Sequence, residues 1–423
     1  MSMLEMIPAC CDHAGGLIPV ETARERATEG VLPVSGEEVV SLQQARGRVS
    51  VAPVSTGHAI PPFDQSAMDG YAVRSSSIAA VPAILPVVAR QAAGADQKLA
   101  ISARPAAVRI FTGAPLPSGF DAVVMQEHCE RRQDAVTINE RPRAGQHVRR
   151  AGDDVKVGQI VVERDTLLDA RHIAILAAGG VAQVRVRRRI RVGVLSTGNE
   201  LRQPDEGLAP GQIHDSNRSM LTALLSANAI ELADLGCIED DRAAIAGRIA
   251  EASRRCDVLI STGGVSVGEE DHIGAAVRSA GGSFAPLKAS IKPGKPISIG
   301  RIGPAVVIAL PGNPVAALVT YLWFGRPMLQ ALMGLRSGHL RSVGAITGFD
   351  ESRHPGRDEF VPAVIVGRDE LGRPVVEKNG VPGTARLLSL IGADGLLRIP
   401  GHLSAISRRE PLDLYLFGSD FSI

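Results

Sequence analysis

The chain has 423 residues, 45% hydrophobic and 22% charged, a globular mix with length for about two to four domains. A formal net charge of +1 supplies no broad field for nucleic acid or an anionic membrane, and 3% aromatic residues leave few platforms for stacking bases. The five cysteines (Cys10, Cys11, Cys129, Cys237, Cys256) form no CxxC pair and are odd in number, against a disulfide framework or a structural zinc site.

Residues 1 to about 16 read as a loose tail, and Cys10 and Cys11 fall in it. MSMLEMIPACC has an acid and a proline where a signal peptide needs its apolar core, and no apolar run of about 18 residues follows anywhere. A soluble, cytoplasmic protein is therefore expected. The segment from Val20 to Val49 is expected to be mostly helical, interrupted at Gly30 and Pro33. From about Ala52 to His147 short β-branched runs alternate with Gly and Pro and predict a β-rich domain. Helical character returns at DARHIAILAAGG. The expected division is a helical linker domain over 17–57 and 148–188, with a β-rich domain inserted at 58–147.

From Arg189 the pattern sharpens. IRVGVLST, ELADLGCI, DVLIST and AVVIALP are apolar strands, each followed by a helical segment. Such alternation predicts a doubly wound parallel α/β domain over 189–337, covered on both faces. After that the alternation stops. GAITGF, EFVPAVIV, PVVEKN, GLLRIP and LDLYLF are short strands between turns, so a small β barrel or sandwich is expected over 338–423. The fold class is multidomain, α/β plus β.

Open α/β sheets bind ligands beyond the carboxyl ends of their strands. Three polar, Gly- or Pro-rich turns fall there: LSTGNEL (195–201), ISTGGVSVG (260–268) and LPGNPV (310–315). Thr262, Gly263, Gly264 and Ser266 can offer backbone N–H groups and hydroxyls to a phosphate. The competing reading is a plain tight turn, because neither GxxxxGKS nor GxGxxG is present. Glu200, Asp240 and Asp271 fall at the same edge. Asp240 also reads as a helix N-cap, and Glu200 and Asp271 as first-turn acids favoured by the helix dipole. Yet Glu269, Glu270 and Asp271 crowd directly behind an anion turn, where mutual repulsion calls for a positive charge. Magnesium, which takes one or two carboxylates plus phosphate oxygens, would supply it. LKASIKPGKP adds Lys288, Lys292 and Lys295, either a solvated basic loop or fixed cations for an oxyanion. Together these residues describe a site for a phosphorylated ligand with magnesium.

The same segments carry a family resemblance. PPFDQSAMDGYAVR (61–74), RIFTGAPLPSGFDAVVMQE (109–127), VRRAGDDV, VLSTGNEL, LISTGGVSVGEEDH, SIKPGKP and LPGNPV occur in the order found in the bacterial MoeA family of molybdopterin molybdenumtransferases, which is similar to the gephyrin E domain. The resemblance runs from about Pro19 to the C-terminus and is weakest over the terminal β domain. It implies an enzyme that binds adenylylated molybdopterin and molybdate, inserts molybdenum at the dithiolene sulfurs and releases AMP with magnesium. It also implies an elongated homodimer whose cleft is shared between the α/β domain of one subunit and the β-rich domain of the other.

Residue by residue, the resemblance implies functional roles for Asp69, Thr112, Asp154, Glu200, Asp240, Asp271, Lys288 and Lys292, with Pro311 and Pro314 at matching positions. Glu200, Asp240 and Asp271 are assigned to magnesium, the two lysines to phosphate or molybdate charge, and Ser266 with Gly263 and Gly264 to the terminal phosphate or oxyanion. Asp69 has a competing reading as the cap of a turn in which Gly70 takes a positive φ. Departures from the family pattern are Gln65 for Asn, His214 for Tyr and Ala316 for Ser. Two other functions are weighed: molybdopterin adenylyltransferase, which shares the α/β fold but lacks the SAMDG and TGAP segments, and a non-catalytic scaffold, which would be free to lose the acids and lysines retained here. The adenylyltransferase is also a candidate partner for substrate transfer.

Overall fold

A computed structural model describes residues 16–95, 105–264, 272–294, 297–335, 340–380 and 386–418. Its frame is a six-stranded sheet in the order Ile230–Ile238, Ile190–Thr197, Val258–Thr262, Ala305–Leu310, Ser298–Ile302, Ser283–Pro286. The first four strands run parallel, and the two pairings at the far edge are antiparallel. The antiparallel edge is absent from the sequence expectation, since Ser298–Ile302 turns back through a tight hairpin into the next strand with no helix between them.

Strand alternation sends successive side chains to opposite faces. Val258, Ile260, Val306, Ile308 and Leu310 pack with Leu221, Leu318 and Leu329 on one face. Leu259, Val307 and Ala309 pack with Ile245, Ile249, Ile273 and Val277 on the other. Every residue of Val258–Thr262 and Ala305–Leu310 is buried. At about 1.5–3 kcal/mol for each fully buried large aliphatic side chain, this is the rigid part from which ligand turns can be held. Helix Val20–Thr28 joins the first face through Val20, Ala23 and Ala27.

The segment from Val20 to Val49 is less helical than its composition suggests. The helix stops at Thr28, and Glu37–Ser41 forms a strand antiparallel to Gln183–Arg187. Paired Val39 and Val40 favour an extended backbone, and Val184 and Val186 across the ladder give Val40 a buried partner face. The helical part recurs at Ala170–Ala178, capped by Asp169 in a reciprocal box with His172.

Between these halves lies a second six-stranded sheet, ordered Ala122–Met125, Gly70–Val73, Ala107–Ile110, Ala83–Gln91, Ala135–Ile138, Cys129–Arg132. At the C-terminal end, strands Asp358–Arg368, Pro374–Lys378, Ser342–Thr347, Pro411–Leu416 and Gly395–Ile399 close on themselves into a five-stranded barrel. The short strand Ile291–Lys292 adds to this barrel in parallel with Asp358–Glu359. Trp323 then packs against Phe360 at a tilt and against Tyr415 edge-on, with centroids 4.0 and 5.0 Å away, so the barrel is fastened to the α/β frame.

Candidate active site

Ser196 and Thr262 are register partners, as are Thr262 and Leu310, so the three turns predicted at strand ends emerge side by side. Their approach is very close. A Cβ on Gly263 would lie 2.4 Å from the Thr197 carbonyl oxygen, and one on Gly264 would lie 2.5 Å from Thr197 Oγ1. Both glycines have positive φ, +81° and +61°. Only glycine meets both demands. Asn217, in the first turn of helix Ser216–Leu224, donates from Nδ2 to Thr262 Oγ1 (3.1 Å) and to the Gly312 carbonyl (2.6 Å). Pro311 is buried, and Pro314 opens helix Pro314–Thr320. Three buried polar atoms at this edge have no partner among the described residues: Thr197 Oγ1, Ser261 Oγ and Asn217 Oδ1.

Two of the expected acids stand on neighbouring turns. Asp240 Oδ2 accepts from the Asn199 N–H (3.3 Å), and Asn199 Oδ1 accepts from the Asp240 N–H (3.1 Å). Asp240 is therefore not the cap of the next helix. That position belongs to Asp241, whose carboxylate accepts from the Ala244 N–H at 2.6 Å. Glu200 folds back, its Oε2 2.6 Å from where a Gly198 Cβ would stand. Beneath them Ser196 donates to buried Asp215, which caps its helix and accepts from Arg218 Nε at 3.0 Å; Arg218 reaches on to Asp234 and Gln203. Asp271, Ser266, Lys295, Glu269 and Glu270 lie outside the described residues. No trio of metal-ligating side chains gathers among the described residues.

The corner of the β-rich sheet brings Asp69 and Thr112 together across 43 residues of sequence. Asp69 Oδ1 accepts from both the N–H and the hydroxyl of Thr112, each at 2.8 Å. Those two donors, the N–H first, hold the carboxyl below the usual carboxylate range. Gly70 is not a positive-φ turn residue as the capping reading expects. It lies in a strand where a Cβ would stand 1.9 Å from the Val124 carbonyl oxygen, so close approach is what demands glycine. Arg109 braces the corner from below. It donates to the Gly70 carbonyl (3.0 Å) and Gln126 Oε1 (2.7 Å), with its guanidinium 4.6 Å from the Phe111 ring centroid and 5.3 Å from that of Tyr71. Asp154 is exposed in a turn, its N–H bound to the Ile60 carbonyl, and no side-chain bond ties it to Asp69. No hydrogen bond or ion pair joins this corner to the strand-end crevice among the described residues.

Lys292 opens onto a third feature, a cavity of about 620 Å³ between the α/β frame and the barrel. Its charged lining is Lys292, Arg353, Arg357 and Lys378 against Glu351 and Glu359, an excess of cations. Glu359 takes Lys292 at 3.0 Å and Arg353 at 3.6 Å, while Lys378 pairs with Glu351. Lys288 is half-buried in the connection just before strand Ile291–Lys292, its carbonyl accepting from Ile18 N–H at 2.8 Å.

Sequence reasoning missed Asn217, Arg109 and the barrel cations. Asn217 reads locally as an ordinary polar residue in a helix's first turn, and Arg109 as a strand arginine. The barrel cations are distant from every Gly-rich turn, so only folding brings them to Lys292.

Three family models match in succession: the MoeA N-terminal region (domain I and II) over residues 18–180, a probable molybdopterin binding domain over 193–331 and the MoeA C-terminal region (domain IV) over 345–417. Among curated relatives, a molybdopterin molybdenumtransferase of Nostoc sp. is 39% identical over 76% of this chain and 75% of its own length. Molybdopterin molybdenumtransferase 2 of Mycobacterium tuberculosis is 34% identical over 89% of this chain and 94% of its own. The crystal structure of a molybdopterin biosynthesis MoeA protein from Pyrococcus horikoshii superposes with a TM-score of 0.77 at 28% identity, over 94% of this chain and all of that one.

Proposed function

Starting from the fact that the chain belongs to the molybdopterin molybdenumtransferase family and is a transferase of molybdenum cofactor biosynthesis, we propose how its own residues divide the work. Adenylylated molybdopterin places its pyrophosphate in the strand-end crevice, and molybdate enters through the cationic cavity at Lys292. The observation that carries this reading is the packing of the 197–200, 262–264 and 311–314 turns into one edge with two carboxylates beside it.

In this reading the backbone of Gly263 and Gly264, with Thr262 and Ser266, receives phosphate oxygens. Pro311 and Pro314 hold the third turn in place. Lys288, Lys292 and Lys295 offset oxyanion charge. The donor set at Glu200 and Asp240 fits magnesium, which is satisfied by one or two carboxylates and completes its shell with water and phosphate oxygens; Asp271 is the third expected acid. When bound, the ion neutralises pyrophosphate charge. Molybdate, a tetrahedral dianion, suits the excess of cations around the 620 Å³ cavity. The pterin dithiolene supplies the soft donors for molybdenum, so no protein thiolate is required. Asp69, Thr112 and Asp154 act from the β-rich part, facing the crevice of a second subunit in an elongated homodimer. The protein works in the cytoplasm and receives its substrate from the adenylyltransferase. Among the described residues no helix is long and apolar enough to cross a membrane.

The test is AMP release from adenylylated molybdopterin by the purified protein with magnesium, with and without molybdate. Molybdate-dependent release that a chelator abolishes and Glu200→Gln cuts by roughly 10²-fold supports the crevice assignment. Arg357→Ala should raise the molybdate concentration for half-maximal rate about tenfold, the loss of about 1.4 kcal/mol of anion binding. Release that ignores both molybdate and Glu200 would overturn the reading.

A further inference from the structure

Asn217 has no role in the family resemblance and touches two of the three turns at once. Its Nδ2 carries two hydrogens, and both are spent: one on Thr262 Oγ1 at 3.1 Å, the other on the Gly312 carbonyl at 2.6 Å. The Gly312 carbonyl can only accept, so the amide cannot be turned the other way round. That constraint passes to Thr262. Its hydroxyl accepts from Asn217, and its single hydrogen is claimed by no acceptor among the described residues. Thr262 is 2% exposed and Asn217 6%, so water does not compete freely for these groups. Asn217 Oδ1 is buried and has no partner among the described residues, and a buried polar atom ordinarily has one.

We propose that Asn217 is a positioning residue that fixes the polarity of the Thr262 hydroxyl, turning it into a dedicated hydrogen-bond donor to an oxyanion held between the 262–264 and 311–314 turns. The inference rests on the crevice being the oxyanion site. Adenylate phosphate and molybdate share the required chemistry, a tetrahedral oxyanion with acceptor oxygens only. The substitution Asn217→Asp would reverse the device at nearly constant shape. Its carboxylate would accept the Thr262 hydrogen and set an acceptor against the Gly312 carbonyl.

The experiment is a double-mutant cycle on the full-length protein with Asn217→Asp and Thr262→Val, reading AMP and molybdate affinity by calorimetry in magnesium buffer and Tm in parallel. Each single variant is expected to weaken one of the two anions by about tenfold or more. The double variant should be no weaker than the worse single one, and the anion showing this coupling is the one Thr262 meets. Should Asn217→Asp not fold, Asn217→Ala carries the same cycle with a several-fold loss expected. Losses that simply multiply, or a variant that lowers Tm yet binds both anions as the parent does, would overturn the assignment. A parent protein that binds neither anion would instead remove the crevice reading itself, and this inference with it.

Discussion

The Asp69–Thr112 corner and the strand-end crevice reach order by opposite means. At the corner the key carboxylate is solvent-accessible, and two hydrogen bonds from one residue hold it, with Arg109 bracing the strands beneath. In the crevice the acids Glu200 and Asp240 lie at the open rim, but the polar atoms behind them are buried. Glycines with no room for a Cβ set the backbone, and three buried polar atoms are left without partners among the described residues. The first design keeps a charge ionised and presents it. The second keeps a shape rigid and leaves its polar atoms available. An elementary consequence is that substitutions at the corner should change chemistry with little effect on stability, whereas those in the crevice should change both.

The contrast is tested most severely at Gly263. Gly263→Ala forces a Cβ to within 2.4 Å of the Thr197 carbonyl at φ +81°, and the conformation alone costs an L-residue about 1–2 kcal/mol. Molybdenum insertion should fall by about 10³-fold and chemical denaturation should shift to lower denaturant; an active, equally stable variant would break the comparison. Asp69→Asn keeps an acceptor for Thr112 and removes the charge, so activity should drop roughly 10²-fold while Tm stays within about one degree of the parent.

A smaller effect is expected from Thr112→Val, read in the pH–rate profile. The folded carboxyl of Asp69 lies below its ordinary value, so its ionised form persists above that value and is lost as pH falls through it. Removing the hydroxyl while keeping the N–H takes away the second of the carboxyl's two stabilising donors and should move the acid limb upward, with a several-fold loss of rate. An unmoved limb would detach Asp69 from the profile.

The smallest effect on activity should come from the far end of the α/β frame. Asp257 accepts from Arg188 at 2.7 and 2.9 Å and from the Arg191 N–H at 2.8 Å. Burial pushes its carboxyl up, but these bonds outweigh it and leave the group below its ordinary range. Its stabilisation is therefore present above about pH 4 and fades as pH falls through the folded value. Asp257→Asn should cost about 3 kcal/mol at neutral pH, with less difference from the parent in acid and kcat unchanged at temperatures where both are folded.

Local pattern was enough for much of this molecule. The strands at 190–197, 258–262 and 305–310 were readable because parallel strands covered on both faces carry near-continuous apolar runs, and the turns after them because glycine and proline clusters stand out. The five barrel strands were equally plain from β-branched runs between turns. Glu37–Ser41 was not, because a strand with three exposed residues carries little pattern until Gln183–Arg187 pairs with it. Asp240 illustrates the same limit at the site. An acid just before a helix reads as its cap, and only the observed bonds hand that task to Asp241 and give Asp240 to Asn199.

Residue chemistry and chain order thus sufficed for the class of fold, the family and the Gly- and Pro-rich turns at the strand ends, since these depend on interactions close along the chain or on ordered motifs. Tertiary structure alone decided which groups meet. Asp69 reaches Thr112, Asn217 reaches both Thr262 and Gly312, and Lys292 reaches Glu359 across the domain boundary. Hydrogen bonds act over about 3 Å in space, whatever the distance along the chain, and no local pattern encodes such a meeting.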